Sequence, residues 1–347
     1  MKAAVYHGPG DVRYQEWPTP KPGPGEALLQ VLAGGICGTD LRILAGQHRK
    51  YPPGTLRVPG HEVVGTVVEV GAGAEDLTLG ARYFVAPNIG CGHCRECLSG
   101  RNNLCRDYDA FGITLDGAFA EYMLVPAAAV RQGNLMQVSE TLDPALLTLT
   151  EPLACVLHGQ EACHIRPGDT VLVIGAGPIG IMHLLLARIQ GAAQVLVSEM
   201  APERLAQAIR FGADHAINPE IQDLEKAVEE VTEGRGADVV LVAAPSGRAQ
   251  QDALKVSAIG AHINYFGGLP QDQVTIPFNS NLVHYRELIV TGTTGCSTAD
   301  CRRALDLVVS GRLDLGGLVS ARLPLADVRL ALAQAAERQA LKIVLVP

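Results

Sequence analysis

Four cysteines fall close together in this chain: Cys91, Cys94, Cys97 and Cys105, spaced C-x2-C-x2-C-x7-C. Four thiolates so spaced can wrap one tetrahedral zinc at about 2.3 Å, leaving no position open. The implied site is structural, a metal staple for a loop lacking a core of its own. An iron–sulfur cluster also takes four thiolates, but nothing else in the sequence points to electron transfer. His93 lies inside the knot and is read as an exposed loop histidine, not a ligand.

A second constellation is dispersed. Cys37-Gly-Thr-Asp40 and Gly60-His61-Glu62 carry a thiolate, an imidazole and a carboxylate, and Glu151 in Thr150-Glu-Pro-Leu-Ala-Cys155 adds another carboxylate. Catalytic zinc takes three protein ligands and keeps one open position, so this set has the count with one residue to spare. Each member also has a plain reading: Cys37 as a buried thiol, His61-Glu62 as a turn, Glu151 as an acid favoured by a helix N-terminus.

The third constellation is Val171-Leu-Val-Ile-Gly-Ala-Gly-Pro-Ile-Gly180, followed by the apolar run Ile181-Met-His-Leu-Leu-Leu-Ala-Arg188. Gly175, Gly177 and Gly180 stand at the G-x-G-x-x-G spacing, between a buried-strand pattern and a helix. That is the context a dinucleotide pyrophosphate needs: a tight turn, a bare backbone and a helix N-terminus. Pro178 and Ile179 complete the turn. The bland alternative is a glycine-rich strand-to-helix turn that binds nothing. Glu199 ends the next strand pattern, where a carboxylate holds the ribose hydroxyls and repels a 2′-phosphate, so NAD is expected over NADP. Arg204, five residues on, would weaken that preference. Phe266-Gly267-Gly268 and Thr293 end later strands, at the edge where the nicotinamide is expected.

Around these sites the chain changes texture. Residues 1–35 alternate β-prone runs (3–6, 27–32) with breakers such as Pro18-Thr-Pro-Lys-Pro-Gly-Pro-Gly25, and 63–70 and 82–86 continue this turn-rich β pattern. From about residue 150, strand patterns at 171–174, 195–198, 215–217, 239–242, 262–266 and 288–290 alternate with helical stretches such as 202–211 and 223–232, predicting a doubly wound parallel sheet. Helical patterns at 298–310 and 326–338 and a strand at 342–346 close the chain. The first domain is expected to take back this end, unless the tail only decorates the nucleotide domain. A length of 347 residues allows two cores, and a net charge of −8 argues against nucleic acid or an anionic membrane as partner. There is no signal-peptide pattern and no membrane-spanning run. Nine cysteines, an odd number, suit a reducing compartment, and the cytoplasm is the expected location.

The run Gly60-His-Glu-Val-Val-Gly65, with Gly71 and Ala74 beyond it, resembles the signature of zinc-containing alcohol dehydrogenases. With the four-cysteine lobe and the later dinucleotide motif, the whole chain resembles the zinc-dependent medium-chain dehydrogenases. Glu62 and Glu151-Pro-Leu resemble the sorbitol and polyol branch. The resemblance implies a GroES-like β-rich catalytic domain (1–152 and 293–347) interrupted by a Rossmann NAD-binding domain (153–292), with the active site in the cleft between them. It also implies two zinc ions per chain. Cys37, His61 and Glu62 would hold the catalytic one, with Glu151 beside it as a direct or water-bridged ligand. Cys155 is a rival on spacing, but falls four residues past the matching position and is read as core. A zinc in such an open site lowers the pKa of a bound hydroxyl, which prepares hydride loss to the nicotinamide. Thr39 would start the proton path, and Asp40 would orient His61.

Two positions depart from the family. The histidine that ends the proton path three residues after Thr39 is Arg42 here, and the arginine that polyol dehydrogenases use near substrate would fall at Gly295. Arg42 is expected to clamp the NAD pyrophosphate. A solvated charge and a contact to a phosphorylated substrate are its other readings. The implied activity is hydride transfer between a secondary alcohol, a polyol first, and NAD. L-threonine oxidation and polyol-phosphate oxidation are enzymatic alternatives, and a non-catalytic NAD-binding protein is the rival from another class. The resemblance also implies a homo-oligomer, tetramer or dimer.

Overall fold

Valine-rich runs bounded by glycine build the two large sheets, one in each of two compact units of the computed structural model, which describes residues 1–337 and 340–347. One unit comprises Met1–Ala154 and Cys296–Pro347; the other is Cys155–Gly295.

The second unit holds a six-stranded, wholly parallel sheet. Its order is His215–Ile217, Gln194–Ser198, Thr170–Ile174, Ala237–Val242, Ser257–Tyr265, Ile289–Gly292. Numbered along the chain that order is 3-2-1-4-5-6, and the glycine turn lies at the carboxyl end of the strand where it reverses. Thr170–Ile174 is buried throughout, as a central strand covered on both faces must be. Leu172, Leu196, Val240 and Ile263 belong to one apolar layer of this unit, closed by Val228, Ala253 and Leu254 from helices. The strand expected at 262–266 begins earlier, at Ser257, and Phe266 lies just beyond its end. Gly260, at φ 76° with exposed Ile259 before it, interrupts the apolar pattern and hides the first half of the strand.

In the first unit, seven strands form the main sheet. Six run in the order Val319–Pro324, Lys342–Val346, Ala27–Gly35, Glu62–Val70, Arg82–Val85, Leu135–Val138, and Tyr122–Val125 also pairs with Ala27–Gly35. The closing strand Lys342–Val346 therefore pairs with Ala27–Gly35, with Val344 opposite Gly35, and the first unit does take back the end of the chain. The expected helix at 326–338 is Val328–Ala336; Arg338 lies outside the described residues. Among the described residues, no helix is long and apolar enough to cross a membrane.

Candidate active site and cofactor site

The four-cysteine loop comes together as its spacing requires. The sulfurs of Cys91 and Cys97 lie 4.0 Å apart and those of Cys94 and Cys105 lie 3.8 Å apart, while a tetrahedron of about 2.3 Å bonds has edges of about 3.8 Å. All four sulfurs fall within 4.8 Å of one another. Backbone N–H groups of Cys91, Cys94 and Cys97 donate to the sulfurs of Cys105, Cys91 and Cys94, each at 3.4 Å. N–H groups of His93 and Cys94 push the Cys91 thiol down to about 6, while at Cys94 the Cys97 N–H is outweighed by burial and the neighbouring thiols, which push it up to about 12. His93 is exposed and its Nδ1 meets the Cys91 carbonyl at 3.0 Å, turned from the sulfurs. The donor set fits a closed zinc site.

The second set assembles from two strands and a short helix. Cys37 caps Gly38–Leu44 and donates its N–H to Asp40 Oδ2 at 2.8 Å. Asp40 Oδ1 faces His61 Nδ1 at 3.7 Å, so one buried carboxylate braces both the Cys37 backbone and the His61 ring. The donor atoms of Cys37, His61 and Glu62 fall within 4.8 Å of one another. Burial alone would lower the pKa of His61, but Asp40, Cys37 and Glu151 hold it well above the usual histidine value. This nest attracts a cation, and thiolate, imidazole and carboxylate are donors that zinc takes. His61 Nδ1 and Asp40 Oδ1 lack a hydrogen-bond partner only because they face each other just beyond hydrogen-bond length, and that contact leaves Nε2 as the ring nitrogen open to a metal.

Glu62 has a partner that the sequence reading missed. Lys342 Nζ lies 2.5 Å from Glu62 Oε1 and also contacts Oε2, with both side chains buried. The register explains the meeting: Glu62 and Val344 flank Gly35 across the central strand. A Cβ on Gly35 would stand 2.0 Å from Glu62 Oε2, so only glycine leaves the carboxylate its place. Burial works against the charge on Lys342, yet Glu62, Cys37 and Glu151 outweigh it and raise the pKa of the ammonium. The available signal was a lysine opening an otherwise apolar strand, Lys342-Ile-Val-Leu-Val346.

Glu151 is buried in the first turn of Thr150–Glu161, and its charge acts on both His61 and Lys342. Its Oε1 is 3.8 Å from the buried Cys296 sulfur. Cys155 is one turn further along the same helix. Thr39 Oγ1 stands 4.0 Å from Cys37 Sγ and accepts from Arg42 Nη2 at 3.5 Å.

In the other unit the glycine turn is built for close approach. Gly175 sits at φ 109°, and a Cβ on Gly180 would stand 1.8 Å from the Gly175 carbonyl oxygen. Gly177 caps helix Pro178–Ile189 without a side-chain cap, with Pro178 at its first position and Ile179 next. Its first N–H groups thus face outward without side-chain acceptors, as a pyrophosphate requires. Glu199 Oε2 accepts from the Ala176 N–H at 2.9 Å, while Oε1 accepts from Met200 and Ala201 at 2.9 and 3.1 Å. The acid is tied into the turn and remains partly exposed. Arg204 reaches the same turn: its Nη1 would lie 3.7 Å from a Cβ on Gly177. Phe266 stacks edge-on to His183 at 4.8 Å, the Gly267 N–H donates to Val242, and Thr293 Oγ1 donates to Asn264 Oδ1 at 3.3 Å. A Cβ on Gly159 would meet both Phe266 and Thr293, so those two residues share one corner.

Comparison with known proteins shows the family of the chain. The Alcohol dehydrogenase GroES-like domain family matches residues 23–135, and the Zinc-binding dehydrogenase family matches residues 178–310. An L-threonine 3-dehydrogenase of Pyrococcus horikoshii is 37% identical over 306 residues, covering 87% of this chain and 85% of its own. A sorbitol dehydrogenase of Bacillus subtilis is 30% identical, covering 100% of this chain and 97% of its own. The crystal structure of a zinc-binding dehydrogenase from Sinorhizobium meliloti bound to NADP superposes with a TM-score of 0.91 at 34% identity, covering 100% and 99% of the two chains. This chain belongs to the zinc-dependent medium-chain alcohol dehydrogenase family, oxidoreductases that act on CH–OH donors with NAD(P).

Proposed function

We propose that this protein oxidises a secondary alcohol bearing neighbouring polar groups, a polyol or a hydroxy amino acid, with NAD as the hydride acceptor. The observation that carries the reading is the Cys37, His61 and Glu62 donor set braced by Asp40 and Lys342. When bound there, zinc supplies a Lewis acid that acidifies the substrate hydroxyl. Asp40 orients the imidazole, Lys342 balances the buried Glu62 charge, and Glu151 adds negative charge nearby as a direct or water-bridged ligand. Thr39 is placed to accept a hydrogen bond from the substrate hydroxyl, whose proton leaves to water because Arg42, a permanent cation that donates to Thr39, cannot relay it. Cys91, Cys94, Cys97 and Cys105 hold a second, structural zinc.

Gly175, Gly177, Pro178, Ile179 and Gly180 hold the pyrophosphate. Glu199 and Arg204 hold the ribose, and Phe266, Gly267 and Thr293 border the nicotinamide. Glu199 favours NAD, although a structural neighbour is bound to NADP. The sorbitol and threonine dehydrogenase relatives support the two substrate types. A homo-oligomer, tetramer or dimer, in the cytoplasm belongs to the same proposal. The test follows NADH absorbance with the zinc-loaded protein across sorbitol, xylitol, L-threonine and a simple secondary alcohol. Turnover of a polyol or of threonine, abolished in Cys37→Ser, is expected. No turnover with any alcohol would overturn the reading.

A further inference from the structure

Beside the Cys37, His61 and Glu62 set, the loop after helix Gly38–Leu44 carries cations that the proposed chemistry does not use. Arg42 lies three residues after Thr39 on one face of this short helix, and its Nη2 stands 3.5 Å from Thr39 Oγ1. That hydroxyl is 4.0 Å from Cys37 Sγ. The guanidinium is therefore two hydrogen-bond lengths from a donor atom of the metal set, on the catalytic unit itself. It forms no ion pair among the described residues, and the residue is exposed. The buried acid nearest in sequence, Asp40, is committed to Cys37 and His61.

Two further donors follow. His48 Nδ1 accepts from the Lys50 N–H at 3.3 Å, which leaves its proton on Nε2. Burial first, then Arg42, Arg49, His61 and Arg57, push the His48 pKa down to about 4, so near neutrality it is an uncharged donor. Arg49 is exposed and makes no ion pair among the described residues. The other cations of the loop are occupied. Lys50 Nζ lies 5.5 Å from the Tyr108 ring centre, and Arg57 lies 5.0 Å from that of Tyr51 while donating to the carbonyls of Lys50 and Ile113. These contacts pin the loop and leave Arg42, beyond its contact with Thr39, and Arg49 without an ion-pair partner among the described residues.

We propose that Arg42, supported by His48 and Arg49, binds an anionic group carried by the substrate, a carboxylate or a phosphate, so that the alcohol oxidised is an anionic one. This rests on the dehydrogenase reading above and narrows its substrate class. It also moves Arg42 from the NAD pyrophosphate, where the sequence alone placed it, to the substrate. The physical reason is that the guanidinium turns to Thr39, the hydroxyl expected at the reacting centre. A planar guanidinium offers two parallel donors to either anion.

The test compares wild type, Arg42→Gln, Arg42→Lys and Arg49→Gln, all zinc-loaded, with sorbitol, gluconate, L-threonine and sorbitol phosphate. Two readouts are used: calorimetric binding of each compound to the NADH complex, and kcat/KM from NADH absorbance. Wild type is expected to bind at least one anionic alcohol more tightly than sorbitol. Arg42→Gln should reduce that preference by roughly 10- to 150-fold, the range for a hydrogen bond to a charged group. Arg42→Lys should restore part of it and Arg49→Gln should cost less. Gluconate or threonine ahead of sorbitol phosphate identifies a carboxylate, and the reverse order a phosphate. If Arg42→Gln keeps the wild-type preference, or sorbitol is the best ligand of wild type, the proposal is wrong. Loss of NADH affinity by fluorescence titration, with the anion preference intact, would return Arg42 to the cofactor. Failure of every alcohol to turn over, with anion binding still dependent on Arg42, would sink the dehydrogenase reading and leave the anion site standing.

Discussion

Lys342 and Glu62 form a buried ion pair across the strand that carries Gly35, one residue pair from the first and last thirds of the chain meeting at the candidate metal set. Removing one partner leaves the other charge uncompensated, which costs about 3–5 kcal/mol for a buried pair. Lys342→Met should therefore destabilise the protein stripped of its exchangeable metal by that order in urea unfolding. The double variant Lys342→Met/Glu62→Gln should recover part of the loss. A single variant as stable as wild type would show that the pair does not hold Glu62.

The two donor sets predict two different losses. Cys94→Ser should release one zinc and lower the melting temperature, because structural zinc contributes folding free energy directly. Cys37→Ser should release the other zinc and reduce NADH formation by at least about 100-fold, with the fold retained, since the open site serves catalysis. Elemental analysis with circular dichroism separates the two. A wild-type protein holding a single zinc would end the two-site reading.

Glu199 predicts cofactor choice. Its carboxylate is fixed beside the glycine turn by the Ala176 N–H, where it would repel a 2′-phosphate. NAD is expected to exceed NADP in kcat/KM, and Glu199→Ala should narrow the gap, leaving Arg204 to welcome the phosphate. Equal use of both cofactors by wild type would show that Glu199 does not face the ribose.

His183 predicts acid sensitivity. It is buried in the nucleotide-binding unit, where Gln160 lies 3.2 Å from its Nδ1, and burial pushes its pKa down to about 3. The unfolded chain takes up this proton below about 6.5, whereas the folded chain holds it off until about 3. The neutral ring's contribution is thus complete above pH 6.5 and is lost as pH falls towards 3, in total on the order of a few kcal/mol. The urea midpoint of wild type should fall more steeply over this range than that of His183→Leu. Parallel slopes would mean that the ring is not held neutral.

Much of this molecule could be read from residue types and spacing, and the exceptions have physical causes. The strand at His215–Ile217 and the closing strand Lys342–Val346 fall where apolar periodicity put them. The start of Ser257–Tyr265 was hidden because Gly260 and exposed Ile259 break the alternation. The four-cysteine loop was legible because all its ligands are local. Lys342 was not, because its meaning depends on register across a sheet whose partners are nearly three hundred residues apart. The same limit applied to Cys296, which has no motif of its own and gains interest only from lying beside Glu151.

The central claim is that an exchangeable metal held by Cys37, His61 and Glu62 enables alcohol oxidation by NAD. Its most direct test is the rate of NADH formation, with the best alcohol of the panel, by protein dialysed against a chelator and then titrated with zinc. The rate is expected to disappear while one zinc per chain stays bound, and to return as a second equivalent is added. A rate that survives loss of the exchangeable zinc would contradict it.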